Sequence, residues 1–429
     1  MIEIKNKAIK KGGRIRPAVW PNIMCTIGLV AIGCTPYLSK NASNELKLML
    51  FVLWVGSTLL LHPFKGTEKG FRIAKWISLL VGLKLIYCLV GLSANILAPI
   101  AGLYIWVVPI AMVYICNYYN TNEIKLLWLI FLAIFAINLI NNIQIGIIGG
   151  ESAFRKTEEN LTTNAGSTPF VVGCMLLIPT MWIVFRYGNV KWIKYLAIIF
   201  IAGAGYYIVF LNTRATAILI LIFILIGFVM QVYGREKKLD LKLFFIRMLL
   251  LGIIIFCIMA PLINLLSEFF SQSHRMLTRL NDISYVLEGG NTNELGEGSL
   301  YARSMLWMTS INTFLGSLPN FLWGIGENLV ESDFYSLLRQ GVGGHSEFFD
   351  LAARYGVIGI FIYYHILKNS YIFIISLIGD SIIKNLFSFI LVGILLMGFV
   401  NNISNNLTTI LFVYLLVPLS GVLLNYKKI

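Results

Sequence analysis

Apolar runs long enough to cross a bilayer recur along nearly the whole chain, and that feature decides most of what it can fold into. A hydrocarbon core of about 30 Å is crossed by about 20 apolar residues in helical form. Windows of that kind, cut by charge and turn residues, place spans near 21–38, 46–62, 73–92, 96–116, 124–148, 168–186, 192–211, 215–233, 243–262, 354–378, 385–400 and 406–424. The fold class predicted is an all-α integral membrane protein with about twelve transmembrane helices and one large external loop. Composition agrees: 58% of residues are hydrophobic, 13% are charged and the mean hydropathy is +0.80. Soluble domains run at roughly 45–50% apolar and 25% charged.

Charge orients the spans, because short loops rich in Lys and Arg stay on the cytoplasmic side. Lys5, Lys7, Lys10, Lys11, Arg14 and Arg16 precede the first span, and Lys65, Lys69, Arg72 and Lys75 come after the second. Arg186, Lys191 and Lys194 fall on the same side, as do Arg235, Lys237, Lys238, Lys242 and Arg247, then Lys427 and Lys428. An even number of spans then leaves both termini cytoplasmic. The opening stretch "MIEIKNKAIKKGGRIRPAVW" is basic and the apolar run after it lacks a small-residue cleavage pattern, so the first span reads as retained. The formal charge of +14 therefore records membrane orientation, and nucleic acid is not an expected partner. Cys25, Cys34, Cys88, Cys116, Cys174 and Cys257 lie in or beside apolar stretches without ligand-like spacing, which indicates neither disulfide nor zinc.

Two polar stretches are left outside: "GGESAFRKTEENLTTNAGST" at 149–168 and a much longer segment. The chain divides into an N-terminal bundle of about nine spans over 1–262, the external loop with short helices over 263–353, and C-terminal spans over 354–429. From 263 to 345 the acids are Glu268, Asp282, Glu288, Glu294, Glu297, Glu327, Glu331 and Asp333, and the bases are Arg275, Arg279, Arg303 and Arg339, with no lysine. All its cations are therefore planar guanidiniums, suited to bidentate contact with phosphate. Loops of this length in compact proteins are functional or carry structure of their own. Within it "SLYARSMLWMTSINTFLG" (299–316) has apolar residues at helical spacing and reads as an amphipathic helix carrying Arg303. "GIGEN" (324–328) and "GVGG" (341–344) read as turns bracketing a short polar helix.

Three outer charges come from distant parts of the chain. Arg214 opens the eighth span in "FLNTRATAILILIF", where an arginine is expensive unless it meets a wet cavity or an anion; the competing reading is a snorkelling interfacial side chain. Arg303 stands on the external helix. His345 precedes a helix whose expected N-cap is Ser346, with Glu347 and Asp350 in the first turn, where acids complement the positive helix end. That end disfavours an imidazolium, and a neutral imidazole accepts a proton. Asp350 and Arg354 are spaced to pair along one face, and the competing reading of the pair is a purely structural one. His62, His274 and His365 read as bland. "ESD" (331–333) is a weak metal signal, and no P-loop, HExxH or GxSxG occurs. No metal or other cofactor is expected.

In order along the chain, "NTRAT" at the start of a span, "YARSMLW" leading through "LPNFLWGIGEN", and then "HSEFFDLAARYGVIGIF" resemble the bacterial O-antigen polymerase and O-antigen ligase superfamily. The matching positions are Arg214, Arg303 with Trp307, Pro319 with Gly324 and Gly326, His345, and Gly356 with Gly359; the family's usual Asn after the histidine is Ser346 here. The resemblance covers roughly residues 200 to 400. It implies a multispan glycosyltransferase of the GT-C architecture in the bacterial cytoplasmic (inner) membrane, with its active site on the external face. It would be metal-independent and act on oligosaccharides carried by undecaprenyl diphosphate, which serve as donor and acceptor.

A polymerase member joins repeat units into O-antigen or capsule, and a chain-length regulator protein is a partner of such an enzyme; a ligase member hands the glycan to lipid A core of lipopolysaccharide. In the polymerase reading Arg214 and Arg303 stabilise the leaving diphosphate and His345 activates the acceptor hydroxyl. Glu347, Asp350, Arg354, Trp307 and Tyr301 would contact substrate, and Trp323 and Tyr335 could also stack on sugar rings. Two other classes compete. A lipid-linked oligosaccharide flippase should show internal repeats and polar residues along its spans, whereas no such repeat is evident and the chain commits one long segment to an outer loop instead. An envelope scaffold would share the one-large-loop layout but leave the outer cations unexplained.

Overall fold

The computed structural model describes residues 15–35, 43, 46, 49–50, 52–54, 56–57, 68–92, 119–155, 168–188, 190–210, 300–326, 342–344, 346–378, 381–399 and 411–421. Within them every regular element is a helix. A short 3-10 turn, Pro17–Val19, leads into α1, Trp20–Cys34. Next come α2, Glu68–Leu89; α3, Thr121–Arg155; α4, Thr168–Tyr187; and α5, Lys191–Phe210. The later part holds α6, Leu300–Leu315; α7, Leu318–Trp323; α8, Glu347–Leu377; and α9, Ser381–Gly398. A π-helical turn, Phe412–Leu416, continues into α10, Val417–Ser420.

The helices show that the apolar runs have an inner and an outer audience. Phe131, Phe135, Phe170, Tyr207 and Phe412 interlock at the centre of the main core, with the Phe135 and Phe170 rings 4.8 Å apart. Yet Trp192, Tyr195, Ile199 and Tyr206, recurring on one side of α5, are exposed, as are Ile137 and Ile140 on α3. In water such faces would be an aggregation hazard, whereas hydrocarbon solvates them. Three described helices are long and apolar enough to cross: Thr121–Gln144, Phe170–Tyr187 and Glu347–Ser376. The chain thus has the make-up of an all-α membrane protein. The expected spans at 96–116, 215–233 and 243–262 lie outside the described residues, as does most of 46–62.

Several boundaries differ from expectation. The fifth helix does not stop near 148, because α3 continues through "GGESAFR" to Arg155. The helix expected over 299–316 is found at Leu300–Leu315. The helix that holds the span expected from 354 begins at Glu347, after the Ser346 cap the sequence indicates, so it crosses the division drawn between loop and C-terminal spans.

One end of the bundle is sealed by polar contacts. Asn120 and Glu123 cap α3 reciprocally: the Asn120 side chain accepts from the Glu123 amide at 2.9 Å, and the Glu123 carboxylate accepts from the Asn120 amide at 2.8 Å. Glu123 is fully buried and takes a two-pronged ion pair from Arg16, at 3.0 and 2.8 Å. These hydrogen bonds push the Arg16 guanidinium above its ordinary value. Beside them Asn22 donates to Ser57 and accepts from Tyr119, and Trp54 donates to Thr26, so this buried network is satisfied.

The last core elements run from that end to the other. Trp128, near the start of α3, donates to Ser420 at 3.1 Å, and the adjacent Gly421 packs on Ile383 at the start of α9. α9 then climbs, with Phe387 beside Tyr414, to Gly398, which lies against Phe348. By helical rise Ile383 and Gly398 are about 22 Å apart. The start of α8 is therefore at the opposite end from Arg16 and Glu123.

Candidate functional site

α8 is two helices. Gly356 takes φ 61° and ψ −164°, outside helical geometry, and the chain doubles back there. The reversal is fixed by a hydrogen bond of 2.5 Å from the Tyr363 hydroxyl to Oε1 of Glu347, 16 residues away. In an unbroken helix that spacing would hold the two about 24 Å apart. A short arm, 347–355, thus lies back along a long arm, 357–377, which by itself provides about 30 Å of helix.

The bend leaves carbonyls without helical partners, and the "GIG" turn after α7 answers them. Ile325 donates to the Ala353 carbonyl and Gly326 to that of Arg354, both at 2.9 Å. The approach is so close that a Cβ on Gly324 would come within 2.3 Å of the Arg354 carbonyl, and one on Gly356 within 2.4 Å of the Leu322 carbonyl. Both positions also have positive φ, so glycine is needed twice over. Tyr87 of α2 donates to the Trp323 carbonyl, which ties the same junction to the end of α2.

The short arm starts as the sequence indicates. Ser346 is the N-cap, accepting from the Phe349 amide at 3.3 Å, and Glu347 and Asp350 fill the first turn. The destination of those acids is new. Asp350, only 4% exposed, accepts from the Ser310 hydroxyl at 2.6 Å and from the Gly344 amide at 3.3 Å. Ser310 in turn accepts from the Gly343 amide at 2.9 Å. Glu347 is 2% exposed and bonded to Tyr363. A buried carboxylate is tolerable only when hydrogen-bonded, and each here is held by a neutral hydroxyl. These two acids therefore bind protein to protein: Asp350 fastens the short arm and residues 343–344 to α6, and Glu347 fastens the short arm to the long one.

The expected pairing of Asp350 with Arg354 does not form. Arg354 is partly exposed, its Nε is buried without a hydrogen-bond partner, and no described carboxylate lies within ion-pair distance of it. The reason is geometric, since Asp350 is already turned to Ser310 on α6. Next to Arg354, the Tyr355 ring stacks on Tyr87, with centroids 5.8 Å apart, and Lys84 Nζ stands 5.6 Å from the Tyr355 centroid. Lys84 has no place in the site expected from sequence. Its signal is in plain view, because it is a lysine inside the apolar window 73–92 that reads as a span.

Of the other expected site residues, Trp307 is brought in, its ring 6.4 Å from Phe349 in an aromatic group completed by Phe348 and Phe399. That contact is packing. Tyr301 and Arg303 lie on α6, Arg303 two turns ahead of Ser310, but their side chains are outside the described residues. Arg214 and His345 are outside them altogether, although Gly344 and Ser346, which flank His345, are placed. His365 stacks on Trp76 at 4.1 Å, in keeping with a bland role. The site as described is a rigid frame of α6, residues 342–344 and the short arm, with an unneutralised guanidinium near its tip. No protein-family model matches the chain, and no curated protein matches it.

Proposed function

We propose that the chain is a multispan glycosyltransferase that polymerises oligosaccharide repeat units carried on undecaprenyl diphosphate, outside the cytoplasmic membrane, into a surface polysaccharide. In this reading about twelve helices cross, both termini are cytoplasmic and the Arg16–Glu123 end faces the cytoplasm. The Ser310–Asp350 bond, with the amides of Gly343 and Gly344, is the observation that carries the reading. It ties the helix bearing Arg303 to the segment bearing His345, so two of the three expected catalytic groups sit on parts fastened to each other.

The chemistry is set by the bonds exchanged. An acceptor sugar hydroxyl attacks the anomeric carbon of the donor, the new glycosidic C–O bond forms and the bond to the diphosphate oxygen breaks. The electron pair leaves with undecaprenyl diphosphate. Arg214 and Arg303 would meet that growing negative charge, and His345 would take the hydroxyl proton. The buried acids Glu347 and Asp350 would act by holding the frame.

Single substitutions Arg214→Ala, Arg303→Ala and His345→Ala should each lower polymer formation by about a hundredfold or more, with lipid-linked repeat units accumulating. The readout is polymer length on cells together with the lipid-linked pool. Full-length polymer from all three stably inserted variants would remove the reading. If the polymer is made normally but not passed to lipid A core, the ligase alternative takes its place.

A further inference from the structure

The glycosyl-transfer mechanism leaves two cations at the bend of α8 unused. Arg354 has a buried, unbonded Nε and no carboxylate partner among the described residues, and Lys84 stands over Tyr355, the very next residue. Around them the surface is apolar: Leu89 is 83% exposed, and Val90, Phe321, Trp323 and Val357 are also exposed. Those residues surround the same junction, since Tyr87 bonds the Trp323 carbonyl and Leu322 touches Gly356. An apolar collar of this kind belongs at the level of lipid, where an uncompensated guanidinium calls for an anion. Asp350 and Glu347 lie one and two turns below Arg354, but Oδ1 of Asp350 is bonded to Ser310 and Gly344 and Oε1 of Glu347 to Tyr363, and neither carboxylate is within ion-pair distance of Arg354.

We propose that Arg354 and Lys84, on either side of Tyr355 at the Gly356 bend, form a binding site for the phosphate of a membrane lipid. A guanidinium matches two phosphate oxygens at once, and the ammonium adds a second charge. The exposed collar takes the lipid chain. On the glycosyltransferase reading, on which this choice of lipid rests, the occupant is a polyprenyl phosphate or diphosphate; an ordinary anionic phospholipid offers the same chemistry.

The test uses the full chain in phosphatidylcholine nanodiscs containing a few per cent of undecaprenyl phosphate or, separately, of phosphatidylglycerol, with retained lipid counted by native mass spectrometry. Undecaprenyl phosphate should stay bound to the wild type. Arg354→Gln and Lys84→Met should each cut retention about tenfold, the worth of roughly one charge-assisted hydrogen bond. Arg354→Lys, which keeps the charge, should retain most of it and serves as the control for folding. Equal retention of phosphatidylglycerol would uphold the phosphate site and assign it to phospholipid. Unchanged retention in both neutral variants would overturn it. The two proposals fail separately: full polymer from the Arg214, Arg303 and His345 variants leaves this site standing, and unaltered lipid retention in Arg354→Gln leaves the reaction standing.

Discussion

Ser310 carries two hydrogen bonds that join three separated pieces of chain, accepting from the Gly343 amide and donating to buried Asp350. Ser310→Ala would leave one buried carboxylate short of a donor and one amide short of an acceptor. A loss of about 1–3 kcal/mol is expected, measured by detergent-driven unfolding in mixed micelles. On the proposed reading polymer formation should fall with it, because the segment carrying His345 loses its anchor. At this scale the sequence is half legible. The Ser346 cap and the acids of the first turn are readable because capping is local, spanning three or four residues. The turn of Asp350 toward Ser310 instead of Arg354 is not, because the partner is 40 residues away and competes with the i, i+4 neighbour only once α6 is in place. Spacing singles out Arg354 but assigns it the wrong partner, and Lys84 shows only as a charge inside a stretch that reads as span.

At the level of elements, α8 is the informative case. Its apolar pattern continues across Gly356, so periodicity alone gives one long helix, and "GVIG" carries no mark that separates a break from a helical glycine. The break depends on a backbone brought from α7 into contact with it. Gly356→Ala would set a Cβ 2.4 Å from the Leu322 carbonyl at a φ of 61°. The expected cost is about 3 kcal/mol or more, through left-handed strain and displacement of α7. The same unfolding assay should show it, alongside loss of the tight association between α7 and α8. The helix α6 is legible nearly to the residue, since its apolar spacing and flanking glycines are local signals. The extension of α3 to Arg155 is hidden because its last turns are polar and carry two consecutive glycines.

For the whole molecule, the two ends differ in kind. At one, Arg16 and Glu123 lock the starts of α1 and α3; at the other, carboxylates are held by hydroxyls around a bent helix. Arg16→Ala leaves Glu123 with the amides of Asn120 and of residue 16 but without its cation, and a loss of about 1–3 kcal/mol is expected, less at high salt because Arg16 is half exposed. Measuring unfolding at two ionic strengths checks it. The class of the fold is readable from composition and run length, since the bilayer imposes both. The number of crossings rests in part on windows beyond the described helices, at 96–116, 215–233 and 243–262.

The amides of Ile325 and Gly326 complete a helix that belongs to a later part of the chain, which makes the bend a splice between two strands of polypeptide rather than a property of either. A protease site engineered between residues 327 and 341 should therefore yield two fragments that purify together and part only in denaturant. Separation of the cleaved pieces in mild detergent would show that the splice does not hold.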